Sequence, residues 1–210
     1  MLQARQLTYA YTGGTAITFP DLNCEKGEQW LLLGQSGSGK TTLLHLLAGL
    51  RTPTSGMIQI GETPITKLAP SRLDRFRGQN IGIIFQQSHF VRALTVGENL
   101  ALARTLAGLP PNPSLISDLL KQLNILHKLD ARPNALSVGE QQRVAIARAL
   151  VNEPLIIFAD EPTSALDDEN ADKVINLLKE SVNAAGATLL IVTHDQRLKD
   201  QFVKKVELNF

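Results

Sequence analysis

The stretch GQSGSGKT, Gly34 to Thr41, has the residue types and the spacing of a phosphate cradle, G-x-x-x-x-G-K-[ST]. Gly34, Gly37 and Gly39 let backbone N–H groups turn inward around phosphate oxygens. Lys40 reaches the β and γ phosphates, and the Thr41 hydroxyl suits a Mg²⁺ shell. A triphosphate site of this kind needs a carboxylate for the metal, and LIIFADE supplies two. An apolar strand ending in Asp160 and Glu161 sets the first beside the metal and the second where an attacking water would sit. Glu161 is then the candidate general base, a role that contributes about 10² to 10⁴-fold in rate.

Two further polar residues close apolar runs, Gln86 after IGIIF and His194 after LLIVT. If those runs are strands of one parallel sheet, both side chains emerge at the edge that carries the phosphate loop, within reach of a phosphate or a water. A lone His at a strand end is more often a structural hydrogen-bonding residue, and adjacency to the γ-phosphate is what would make it functional. A second candidate anion site is LSVGEQQRVAIARAL, Leu136 to Leu150. Ser137 stands three residues before Glu140, the spacing of a capping box, and Gly139 removes a side chain from the first turn. Local capping and anion binding at the helix start are both open to it.

These residues need a scaffold that holds strand ends and helix starts together. QWLLLG, GMIQIG, NIGIIFQ, PLIIFAD and ATLLIVTH are short apolar runs flanked by turn signals, and KTTLLHLLAGL is a helix closed by Gly49. Strands alternating with helices predict a mostly parallel sheet covered on both faces. Between Met1 and Leu33, alternating stretches such as QLTYAY and TAITFPDL, separated by TGG and EKGE, predict antiparallel hairpins. From Gln87 to Ala135 the pattern turns helical, with Leu115, Leu119, Leu123 and Leu126 at helical spacing. The expected architecture is one α/β domain over residues 1–210. Residues 1–86 and 136–210 form a phosphate-loop core with an N-terminal antiparallel β part, and residues 87–135 an inserted α-helical part.

With 43% hydrophobic residues among 210, the chain can bury a substantial core. Twenty-one Lys and Arg against 20 Asp and Glu leave a net charge of +1, which gives no global field for nucleic acid or an anionic membrane. The lone Cys24 excludes an internal disulfide and fits a reducing cytosol as a small buried residue. The N-terminus lacks a signal-peptide core and no run approaches the ~18 apolar residues of a membrane span, so any membrane role is expected to come through a partner.

Taken together, these motifs resemble those of the nucleotide-binding subunits of ATP-binding cassette (ABC) transporters, from Leu7 to about Leu208. GQSGSGKTT resembles the Walker A loop, which makes Gly34, Gln35, Ser36, Gly37, Ser38, Gly39, Lys40, Thr41 and Thr42 ATP-binding residues. LIIFADEP resembles Walker B, with Asp160, Thr41 and Gln86 of the Q-loop on Mg²⁺ and Glu161 as the catalytic carboxylate. SALD, Ser164 to Asp167, resembles the D-loop, His194 the switch histidine, and Tyr11 the adenine-stacking aromatic. LSVGEQQR resembles the signature usually written LSGGQ, departing from it at Val138 and Glu140. The resemblance implies an ATPase whose two subunits pair head to tail around two MgATP. Lys40, Asp160, Glu161 and His194 then act in cis, and Ser137, Val138, Gly139, Glu140 and Asp167 in trans.

Backbone N–H donors survive Val138 unless the position demands a positive φ. Glu140 adds a like charge unless the capping box turns it back toward the Ser137 N–H. Activity is expected to survive both departures. IGIIFQQSHFVRALTVGENLALA resembles most the lipoprotein-release, macrolide-export and cell-division branch. That implies a homodimer or paired ATPase subunits, peripheral on the cytoplasmic face of the membrane, with a permease docking near Ser88 to Thr95. The chain stops soon after THDQRLKDQFVKKVELNF, so no added regulatory domain is expected. Rival functions are a regulator of a membrane complex and a soluble ATPase on nucleic acid or ribosomes. Lys67, Arg72, Arg75 and Arg77 form the one basic cluster that would serve the latter, and a solvated face explains them better, so no nucleic-acid partner is expected.

Overall fold

The computed structural model describes residues 1–208 other than 165 and 167, and only the backbone of 168–170 and 197. Asp167, expected to act in trans, lies outside the described residues.

The chain opens with β1 (Leu2–Tyr9), β2 (Ile17–Thr18) and β3 (Leu22–Cys24), and both short strands pair antiparallel with β1. It then enters β4 (Gln29–Gly34) and α1 (Lys40–Leu47), which Gly49 closes with φ 66°. Next come β5 (Ser55–Ile60), β6 (Thr63–Pro64), α2 (Pro70–Asn80) and β7 (Ile81–Ile84). Helices α3 (Val96–Leu106), α4 (Pro113–Gln122) and α5 (Val138–Leu150) precede β8 (Ile156–Asp160). The chain ends through α6 (Asp168–Ala184), β9 (Thr188–Thr193) and β10 (Lys204–Leu208).

Five strands in the order β10-β4-β9-β8-β7 form a wholly parallel sheet. Its middle strands are apolar without a break because both faces are covered. Alternate residues divide two cores. Ile157 and Ala159 of β8 and Leu189 and Ile191 of β9 pack with α5, α6 and the helices of residues 96–122. Ile156, Phe158, Leu190 and Val192 pack with α1 and the antiparallel sheet. Each of the Ile, Leu, Val and Phe side chains contributes about 1.5–3 kcal/mol on full burial, so the sheet's register is strongly held. Gly82 of β7 is required by this packing: a Cβ there would stand 2.4 Å from the Ala149 carbonyl oxygen of α5.

Two expectations are corrected. GMIQIG, expected among the parallel strands, lies in β5 and pairs antiparallel with β1. Its alternation of half-buried Met57 and Gln59 with buried Ile58 and Ile60 is the pattern of a one-sided sheet. α4 buries Ile116 and Leu120 most deeply; of the four leucines at helical spacing, Leu123 is buried, Leu119 packs half-buried against the main core and Leu115 is half-buried, so only Leu126 departs. The helix stops at Gln122, Asn124 turns left-handed with φ 55°, and Leu126 falls off the stripe and is exposed.

Candidate nucleotide site

All five parallel strands deliver their C-terminal ends to one edge. Gly34 leaves β4 there, Asp160 ends β8, Thr193 ends β9 with His194 next, and Gln86 lies two residues beyond β7. Pairings with strong apolar registers thus bring together residues distant in sequence. Tyr11, Ser36, Gly37, Lys40, Gln86, Glu161 and His194 line one cavity of about 410 Å³.

The loop from Gly34 to Gly39 feeds α1 without a side-chain cap, and Gly39 at the N-cap takes φ 74°. That left-handed geometry excludes most side chains and leaves the first N–H groups of α1 facing the cavity. Lys40 is buried, and its ammonium donates to the Gly34 and Gln35 carbonyl oxygens at 2.8 and 2.7 Å. Ser38 Oγ is buried with no partner among the described residues. The Tyr11 hydroxyl lies 2.6 Å from Thr42 Oγ1. Tyr9 packs edge-on against the Tyr11 ring, and the Arg51 guanidinium sits 5.3 Å from the Tyr11 ring centre while donating to the Tyr9 hydroxyl at 2.7 Å.

Thr41 Oγ1 donates to Asp160 Oδ1 at 3.3 Å, and burial pushes the Asp160 carboxyl above its usual range. Burial also pulls His45 of α1 down. Glu161 follows with φ 48°, in the left-handed region, while its N–H continues the sheet by donating to the Val192 carbonyl at 2.8 Å. Strain of this kind is expected where a side chain must be aimed. The Glu161 carboxylate accepts from Thr193 Oγ1 at 2.7 Å and from the His194 N–H at 3.0 Å, and His194 Nδ1 lies 2.7 Å from Oε1.

Ser137, Val138, Gly139 and Glu140 do not line this cavity. They start α5 in a complete capping box: Ser137 Oγ accepts from the Glu140 N–H at 3.3 Å, and Glu140 Oε2 accepts from the Ser137 N–H at 2.8 Å. That backbone hydrogen bond is the main reason the Glu140 carboxyl lies below its usual range. Its other oxygen pairs with Lys128 Nζ at 3.3 Å. Val138 is exposed and is not left-handed, so the residue strains nothing.

In the segment Ser88 to Thr95, Phe90 is half-buried against the main core with the Arg148 guanidinium 4.8 Å from its ring centre. Val91 and Arg92 are exposed. Of the basic cluster, Arg77 pairs with Asp74 at 2.7 Å and donates to the Gly49 carbonyl, so it braces α2 against α1. The residues that sequence reasoning missed are Thr193, Arg51, Tyr9 and Lys128. Only Thr193, a hydroxyl at the end of an apolar strand beside His194, carried a local signal.

A buried carboxylate held against a phosphate-loop hydroxyl, at the C-terminal edge of a parallel sheet, defines a phosphate-loop nucleotide-binding protein. The family model for the ABC transporter matches residues 19–164. Over 99% of its length the chain is 37% identical to the lipoprotein-releasing system ATP-binding protein LolD of Colwellia psychrerythraea, covering 83% of that protein. Over 89% of its length it is 43% identical to the macrolide export ATP-binding/permease protein MacB of Campylobacter jejuni subsp. jejuni, of which it spans 29%. The dimeric post-hydrolysis state of the ATP-binding cassette MJ0796 bound to ADP and Pi aligns with a TM-score of 0.88 at 34% identity, covering 100% of this chain and 94% of that one. The chain therefore belongs to the ABC transporter family, as one of its ATP-binding, ATP-hydrolysing subunits.

Proposed function

We propose that the chain binds MgATP in the cavity between Tyr11 and His194, hydrolyses it, and drives a separate membrane permease by pairing with a second ATPase subunit. The observation that carries the catalytic part is the Glu161 carboxylate, aimed by a left-handed backbone at the edge that holds Lys40, Thr41 and Asp160. Gly34 to Thr42 cradle the phosphates with their N–H groups, Lys40 neutralises the β and γ phosphates, and the Tyr11 ring stacks on the adenine. Thr41, Asp160 and Gln86 hold Mg²⁺, which when bound neutralises charge on the phosphates. The donor set fits that ion: the Thr41 hydroxyl and the Asp160 carboxylate stand 3.3 Å apart as hard oxygen donors, and Mg²⁺ takes its remaining oxygens from phosphate and water. Glu161 accepts the proton of the attacking water, and His194 orients the carboxylate.

The second subunit closes the site with Ser137, Val138, Gly139, Glu140 and Asp167. Gly139 supports this reading. A Cβ there would meet nothing within 4 Å, and a glycine inside a helix costs about 1 kcal/mol. Nothing described in this chain needs the bare backbone, whereas a phosphate approaching from another subunit does. In this reading residues 87–135 are the helical lobe that presents the signature, and Ser88 to Thr95, with exposed Val91 and Arg92, take the permease on the cytoplasmic side of the membrane. No described helix is long and apolar enough to cross a membrane itself. The lipoprotein-release and macrolide-export relatives support the permease partner.

Glu161→Gln tests the proposal. It is expected to bind MgATP, to hydrolyse it at least about 10²-fold more slowly, and to accumulate as an ATP-dependent dimer. Wild-type turnover in the purified variant removes Glu161 from the role.

A further inference from the structure

We infer that Thr193 is a positioning residue for hydrolysis: its hydroxyl holds the Glu161 carboxylate so that one acceptor site remains for the attacking water. This rests on Glu161 as the general base. Thr193 ends β9 and is fully buried. Its Oγ1 stands 2.7 Å from Glu161 Oε2 and accepts the Asp195 N–H at 3.0 Å. Those two contacts fix the direction of the hydroxyl proton. The Asp195 amide is a donor only and the ionised carboxylate an acceptor only, so Thr193 accepts from Asp195 and donates to Glu161.

The carboxylate's acceptor sites can then be followed one by one. An ionised carboxylate offers about four lone-pair sites. Oε1 receives the His194 N–H at 3.0 Å and faces Nδ1 at 2.7 Å, a distance at which the ring nitrogen must carry a proton, because two bare acceptors would repel. Oε2 receives Thr193 and, among the described residues, has one site left. The three donors come from consecutive backbone and side-chain groups of one strand end, so they hold the carboxylate plane as a unit. Packing alone does not call for a hydroxyl here. Valine has the same shape and suits a strand that runs Leu189 to Val192, while a buried hydroxyl is unfavourable unless hydrogen-bonded.

The test is the basal ATPase of the purified full-length chain in four forms: wild type, Thr193→Val, Thr193→Ser and Glu161→Gln. Thr193→Val keeps the shape and loses the hydroxyl, and is expected to lower kcat by about 10 to 100-fold with KM for ATP within about twofold, as for a misplaced reacting group. Thr193→Ser keeps the hydroxyl and recovers most of that loss. In the Glu161→Gln background, adding Thr193→Val causes no further loss. Thr193→Val turnover within about twofold of wild type, or Thr193→Ser falling as far as Thr193→Val, overturns the inference. Wild-type turnover in Glu161→Gln instead overturns the reading on which it rests.

Discussion

Thr41 Oγ1 donates to Asp160 Oδ1 at 3.3 Å, joining the phosphate loop to the end of β8 around a carboxylate that is only 6% exposed. Burial raises the Asp160 carboxyl and Glu161 adds to the effect, against the Thr41 hydrogen bond. A carboxyl whose pKa is higher folded than unfolded binds its proton more tightly in the native state. Stability therefore falls as pH rises from the unfolded to the folded value, and stays lowered above it. The ionised form of Asp160 therefore opposes folding, so the site trades stability for charge.

Asp160→Asn keeps the shape and removes the charge. Its melting temperature at neutral pH is expected to rise by about 2–4 °C, as roughly 1 kcal/mol does in a domain of this size. The gain should vanish once acidification protonates Asp160 in the wild type. Hydrolysis should fall by at least about 10²-fold, because the metal loses its carboxylate. Thermal melts across pH beside ATPase assays check both, and an unchanged or lower melting temperature at neutral pH counts against the buried-charge account.

Tyr11 is held by Tyr9 and Arg51, and its hydroxyl meets Thr42. Tyr11→Ala should raise KM for ATP by about 3 to 10-fold, the value of an aromatic stack, with kcat unchanged, because stacking is equal in the ground and transition states. Tyr11→Phe should leave KM close to wild type. A fall in kcat for Tyr11→Ala would instead give the ring a role in the chemistry.

The chemistry of the site was legible where it dictates residue type: the glycines and Lys40 of the loop, Asp160 and Glu161 after an apolar strand, and the Ser137 to Glu140 spacing. What escaped were features set by tertiary pairing. Whether β5 belongs to the parallel or the antiparallel sheet depends on its partner β1, although the alternation from Met57 to Ile60 carried a hint. Leu126 leaves the stripe of α4 because of a left-handed turn at Asn124 that no apolar count reveals. Arg51 braces Tyr9 across 42 residues, and Glu161 takes a left-handed backbone for which glutamate has no local preference. Thr193 carried a hint, a hydroxyl closing an apolar strand beside His194, but its contact with Glu161 across 32 residues is set by the pairing of β8 with β9.

Lys128 neutralises the signature glutamate in the structure, so Glu140→Gln and Lys128→Ala should differ in sign. Gln keeps the capping bond to the Ser137 N–H and frees Lys128, so ATP-dependent dimerisation holds or strengthens. Lys128→Ala leaves the carboxylate with its Ser137 N–H bond but without the lysine where a phosphate must approach, and should weaken dimerisation by about 2 to 5-fold, the value of an exposed ion pair. The double variant should return to the Glu140→Gln level. No change in either single variant would place the charge outside the interface, and equal weakening would mean that the ion pair itself supports the dimer. Val138→Gly relieves no backbone strain, so its ATPase rate should stay within about twofold of wild type.

The trans role of the signature is separable from its local one. Within its own chain Ser137 only caps α5, so Ser137→Ala should cost about 1 kcal/mol of stability and leave nucleotide binding intact. Ser137→Arg places a long cation over the helix start that a second subunit's phosphate would occupy. In the Glu161→Gln background, equilibrium binding of a fluorescent ATP analogue to the Ser137→Arg monomer should stay within about twofold, since no signature residue lines the cavity of its own chain. The dimer that Glu161→Gln forms with ATP, read by light scattering after size exclusion, should disappear. If the analogue's affinity falls as steeply as dimerisation, the signature acts on the nucleotide of its own chain, and the head-to-tail arrangement fails with it.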